Sequence, residues 1–216
     1  MEYSDISTYC KENQAILVAV SKTKPISLIQ TIYDQGQRVF GENRVEELVS
    51  KKAEMADDIQ WHFIGTLQSK KVKKLIPHAS LIHSVDSASL LAEIQKRSLS
   101  AGVTTHILLQ PKIAKEESKQ GLGTAELMQI IEDYSKGKYP NVHIKGLMGM
   151  ATFTDDKDQV AEEFKTLKLA YDTIRDQYTL VDFGTLSMGM SGDYQLAIDH
   201  GSNMVRIGSL IFGGRG

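Results

Sequence analysis

The stretch AILVAVSKTKP, residues 15–25, decides the fold and raises the chemical question. Residues 16–20 read Ile-Leu-Val-Ala-Val, apolar at every position. That is the pattern of a strand covered on both faces, as in a parallel sheet with helices outside it. Lys22 stands at the end of this run. Lysine is rarely buried without compensation, so an amine at the tip of a strand with no wet face points to a site.

Seven more short apolar runs follow, at 38–41, 60–65, 81–85, 105–110, 143–150, 185–190 and 203–208. Between them lie segments with helical periodicity, at 26–35, 45–55, 88–99, 126–136 and 160–178. Strand and helix alternating eight times, with no linker or composition break, predict an α/β fold: a single (β/α)8 TIM barrel, residues 1–216 forming one domain. No GxGxxG follows the first strand, which argues against an open dinucleotide-binding sheet.

Composition narrows the partners. The 216 residues carry a formal net charge of −2, so no global field draws nucleic acid or an anionic membrane. The lysines at 70, 71, 73 and 74 read as a solvated helix face. No apolar run approaches the ~18 residues of a membrane span, and the polar, acidic start is unlike a signal peptide. The expectation is a cytoplasmic protein. Cys10 is the single cysteine, so no internal disulfide framework is available, and the six histidines show no metal-ligand spacing. No metal is expected.

In a barrel, function gathers at the C-terminal ends of the strands. Two ends stand out. In 203–209, alternation puts Met204, Arg206 and Gly208 on one face and Val205 and Ile207 on the other, aiming Arg206 into the barrel mouth. A guanidinium there cannot lose its charge and needs an acceptor. Gly208-Ser209 then opens a short apolar element. Loops after the last two strands of barrels often bind phosphate, and hydroxyls from Ser187 or Ser191 and Ser209 suit that task. By contrast, Glu42 reads as a cap for the following helix and His62, beside Trp61, as a packed histidine. An amine in apolar surroundings next to a cation loses proton affinity and becomes a nucleophile toward aldehydes. A cofactor that carries both an aldehyde and a phosphate is pyridoxal 5′-phosphate, PLP.

The motifs VAVSKTKP, FGENRVEE, WHFIGTLQSKK, GLMGMA, LSMGMSGDY and MVRIGSLIFGGR resemble, in order and over nearly the whole chain, the pyridoxal phosphate homeostasis proteins, a family of alanine-racemase-like barrels. The resemblance implies a fold-type III PLP-binding barrel without the second β-domain of alanine racemases. It implies that Lys22 carries the cofactor as a Schiff base, an internal aldimine, and that Arg206 faces the pyridine nitrogen. Ser187, Gly208 and Ser209 would hold the phosphate, Asn43 would line the pocket, and Met188 and Ser191 complete the cofactor-binding set. No residue is assigned a catalytic role. Lys24 is left out, because Pro25 predicts a turn. The chain departs from the family pattern at Thr66 and Lys70, in GTLQSKK, and at Gly192. Lys119, in KEESKQGLG, reads as part of a solvated charged loop.

Three functions compete: a PLP carrier, a PLP-dependent amino-acid racemase, and a barrel that uses Lys22 directly on a carbonyl substrate, as an aldolase would. An arginine beside the ring nitrogen disfavours its protonation, and racemisation needs a second base on the opposite face of the substrate. In alanine racemases that base comes from a second domain and a partner subunit, which a chain ending at Gly216 is expected to lack. The expectation is therefore a PLP carrier or buffer acting in intracellular PLP homeostasis without substrate turnover. Apo PLP-enzymes would be its recipients, and the protein would be a monomer or a weak dimer. An amino-acid racemase is the alternative.

Overall fold

The structure, a computed structural model, describes residues 2–114 and 121–214; Lys119 lies outside the described residues. The strands are β1 (Ile16–Val20), β2 (Val39–Glu42), β3 (Gln60–Phe63), β4 (Leu81–Val85), β5 (Thr105–Leu109), β6 (Val142–Met148), β7 (Thr185–Ser187) and β8 (Met204–Ile207). All eight run parallel and close in chain order into a barrel, the expected fold. β8 meets β1 with Leu17 opposite Val205 and Val18 opposite Arg206.

The unbroken apolar run of β1 now has its cause. Val18 points into the barrel, where it packs with Leu81, Leu108, Met148 and Met204. Leu17 points outward, against Ile6 and Cys10 of α1 (Tyr3–Glu12). Ala19 joins the larger apolar layer between the strands and the outer helices, with Phe40, Trp61 and Phe164. From Leu17 to Val20 both faces of the strand are dry; only Ile16, at its start, is exposed.

The outer helices are α2 (Ile26–Asp34), α3 (Val45–Glu54), α4 (Val72–Leu75), α5 (Ala88–Ala101), α6 (Thr124–Ser135), α7 (Lys157–Gln177), α8 (Tyr194–Asp199) and α9 (Ser209–Phe212). α7 begins before its apolar stripe because Asp156 caps it, accepting from the Gln159 N–H at 3.0 Å. Several strands stop earlier than their apolar runs. β7 ends at Ser187 and shares only the Ser187–Met204 pair with β8. Side chains hold that seam instead: Ser202 Oγ donates to Met188 O at 2.8 Å, and Asn203 accepts from Leu186 N at 2.8 Å. The residues released from the ladder are the ones that build the mouth of the barrel. Among the described residues, no helix is long and apolar enough to cross a membrane.

Candidate functional site

A cavity of about 760 Å³ opens at the C-terminal end of the barrel. It is lined by the turn after β1, the ends of β2 and β3, and the loops after β6, β7 and β8. Val20 lies on its wall because it shares the inward face of β1 with Val18, and Lys22 follows on the same wall, half-buried.

Arg206 forms part of the floor. It is 5% exposed, pointing inward as the alternation of β8 requires. Nη1 donates to Ser187 O at 3.0 Å and Ser187 Oγ at 2.7 Å, and Nη2 donates to Gly149 O at 3.0 Å. Burial lowers its pKa to about 10, and the charge of Asp193 opposes that shift. The guanidinium is thus held rigid and cationic beneath the cavity at neutral pH.

Below it runs a buried polar chain. Ser187 Oγ lies 3.2 Å from His83 Nδ1, and His83 Nε2 lies 3.0 Å from His62 Nδ1. With both rings neutral, Ser187 O–H can donate to His83 and His83 N–H to His62, satisfying each group in turn. Burial pushes His62 down from 6.5 to about 3, and burial together with neighbouring His62 and Arg206 holds His83 well below the usual histidine range. Both depressed values mean that the unfolded chain binds more protons. Stability is therefore present in full above about 6.5 and is lost as pH falls through the window below it. The expected slope approaches ~1.4 kcal/mol per pH unit for each histidine. Thermal melts between pH 6.5 and about 5 test this. His62→Gln should melt with a shallower pH dependence, and a slope equal to that of the unmodified protein would contradict the assignment.

The loop after β7 is shaped by Gly189, whose φ of 94° and Cβ position 2.5 Å from Ala197 Cβ admit no side chain. Met190 N donates to Asp193 Oδ1 at 2.5 Å, and Gly208 N donates to Ser191 Oγ at 3.3 Å. Ser191 and Ser209 are brought to one side of the cavity by these loops. The loop after β6 is pinned from α7, where buried Glu163 accepts from Thr152 N at 2.6 Å and Thr152 Oγ1 at 2.7 Å.

The family model described as "Alanine racemase, N-terminal domain" matches residues 2–216. The pyridoxal phosphate homeostasis protein of Aquifex aeolicus (strain VF5) is 40% identical over 205 residues, covering 94% of this chain and 89% of that one. The chain belongs to the pyridoxal phosphate homeostasis protein family. The human family member is 38% identical over 213 residues, with 94% of this chain and 77% of that one covered. Among solved structures, PipY of Synechococcus elongatus PCC7942 with PLP bound superposes with a TM-score of 0.87 at 32% identity, covering 97% of this chain and 99% of that one. Alanine racemase from Bartonella henselae shares the fold at 16% identity and a TM-score of 0.71, with 93% of this chain covering 55% of that one. The match is to the barrel part of the racemase.

Of the expected site residues, Lys22, Asn43, Ser191, Arg206, Gly208 and Ser209 converge on the cavity. Ser187 and Met188 do not line it. Ser187 is the last residue of β7, fully buried beneath Arg206, and Met188 turns outward into the apolar layer under the helices. Glu42 is not a helix cap: it ends β2 and is fully buried, while Arg44 occupies the N-cap of α3. His62 is packed, as expected, though within the polar chain. Lys24 lies on the cavity wall, with Nζ donating to Gly214 O at 2.8 Å. The turn that Pro25 predicts, closed by Lys24 N donating to Ser21 O at 3.0 Å, accompanies this placement, so the turn was a reason to keep Lys24 rather than to leave it out. Lys70, Lys73 and Lys74 are exposed, and Lys71 pairs with Glu46 at 2.8 Å.

Proposed function

We propose that this chain binds PLP in the cavity, joined to Lys22 as a Schiff base, and acts in the cytoplasm as a carrier or buffer of the cofactor rather than by substrate turnover. The observation that carries the proposal is the meeting, in one cavity, of an amine, a buried guanidinium and two hydroxyl-bearing loops. The volume falls within the ~300–1,000 Å³ common for small-molecule sites. Two further features suit the cofactor. Asn43 Oδ1 is buried without a hydrogen-bond partner. At Gly208 the wall is close-packed, a Cβ there meeting Val20 O at 3.1 Å, so the backbone itself borders the cavity. PLP, when bound, supplies an electrophilic aldehyde carbon.

In this assignment Ser191 and Ser209, with the backbone at Gly208, hold the phosphate, and Asn43 orients the ring. Arg206 faces the ring nitrogen and disfavours its protonation, since like charges repel at short range. Ser187 acts one step back, by holding Arg206. The weakened electron sink that results speaks for carriage over carbanion chemistry. Ser209 and Thr23 are exposed at the rim, leaving the site open to water and competing amines.

The test pairs two measurements on PLP-loaded protein. Cofactor should pass to an apo PLP-enzyme present in excess, restoring its activity. D- and L-alanine, and a panel of other amino acids, should show no exchange of the α-proton with deuterated solvent by NMR. Sustained exchange that is lost in Lys22→Ala would replace the carrier with a racemase-like enzyme.

A further inference from the structure

We infer that Lys51, outside the cavity, is a positioning residue that clamps the turn carrying Lys22. The inference rests on the proposed attachment at Lys22. Lys51 sits on α3, 6% exposed, and its ammonium has three donors and three acceptors. They are Ser21 O at 2.8 Å, Glu42 Oε1 at 2.7 Å and Glu47 Oε1 at 2.6 Å. Buried ion pairs add little net stability against apolar replacements, so the geometry they impose is what matters.

That geometry grips both neighbours of Lys22. Ser21 Oγ donates to Glu42 Oε1 at 2.5 Å and Ser21 N to Gly41 O at 3.0 Å. Lys24 N donates to Ser21 O at 3.0 Å, closing a four-residue turn. Inside the turn Thr23 holds φ at 64°, a left-handed conformation that strains a β-branched residue and persists only where its surroundings impose it. Glu47 imposes it, with Oε1 accepting from Thr23 N at 2.6 Å. Ser21, Glu42 and Glu47 all converge on the one ammonium. With the backbone fixed on both sides, only the side-chain torsions of Lys22 remain to be set.

The test compares the unmodified protein, Glu47→Ala, and the double variant Lys51→Met with Glu42→Gln, which removes both buried charges and leaves only the 20% exposed Glu47 carboxylate without its cation. Pyridoxamine 5′-phosphate, which has no aldehyde, reports the cavity alone; the band near ~420 nm on adding PLP reports attachment. Both variants should bind pyridoxamine 5′-phosphate within about twofold of the unmodified protein, yet attach PLP at least ~10-fold more slowly, since small misplacements are costly in rate. Amide exchange across residues 21–24 should quicken in the cofactor-free variants. Adding Thr23→Gly to Glu47→Ala should recover part of the attachment rate, because glycine adopts the positive φ unaided. If the double variant does not fold, Glu47→Ala carries the test, its carboxylate being 20% exposed. An unchanged attachment rate, or equal losses for both vitamers, would overturn the clamp. Failure of the unmodified protein to bind either vitamer would instead overturn the cavity reading, and the clamp with it.

Discussion

Lys22→Ala is expected to abolish the absorbance near ~420 nm that PLP develops on this protein, and to weaken retention of the cofactor by at least ~100-fold, or ~2.7 kcal/mol. Phosphate and ring contacts from Ser191, Ser209, Gly208, Asn43 and Arg206 survive the substitution, but they are reversible and face an open rim. Only an amine can hold the aldehyde carbon. The fold should be untouched, because Lys22 lies beyond the end of β1 in a turn and is half-buried. Spectrophotometric titration with PLP, together with a thermal melt, separates the two effects. A variant that stays yellow, or one that loses the band only because it melts, would contradict the assignment.

Gly65→Ala is expected to destabilise the fold strongly at the edge of the cavity. A Cβ at Gly65 would lie 2.2 Å from Asn43 O and 2.7 Å from Asn43 Cα, both backbone atoms. Neither side can retreat easily. Gly65 O accepts from Ser84 Oγ at 2.5 Å, and Ile64 N donates to Glu42 O at 2.9 Å. Overpacking of this kind costs roughly 3 kcal/mol, on the order of 10 °C in Tm for a chain of this size. Because Asn43 must move, PLP affinity should fall as well. Gly123→Ala is the control: among the described residues, none beyond its chain neighbours comes within 4 Å of its Cβ position, and its Tm should stay near that of the unmodified protein. Equal melting of the two variants would refute the steric account.

The barrel was legible because its strands obey a simple rule: covered on both faces, they read as continuous apolar runs. Arg206 was legible for a related reason, since period-two alternation holds as far as β8 remains a strand. No such rule reaches SMGMS, where the phosphate reading leaves Ser187 and Ser191 as alternatives and the family resemblance alone points to Met188: β7 ends at Ser187, and the positive φ at Gly189 swings Ser191 to the cavity. Ser187 stays below, bonded to Arg206. The clamp was hidden by ambiguity rather than by the lack of a rule. Glu47 and Lys51 at i,i+4 look like any solvated helix pair, and only the closure of β2 beside β1 brings buried Glu42 and Ser21 to the same ammonium. His62 and His83 were likewise separated by sequence and joined by the register of β3 and β4.

Lys24 makes the central claim sharp, since a second amine lies on the same wall as Lys22. Borohydride reduction of the PLP-treated, unmodified protein, followed by proteolysis and fragment mass analysis, distinguishes them. The account predicts one phosphopyridoxyl group, on Lys22. The same group found on Lys24 or on any other lysine, with Lys22 unlabelled, would contradict it.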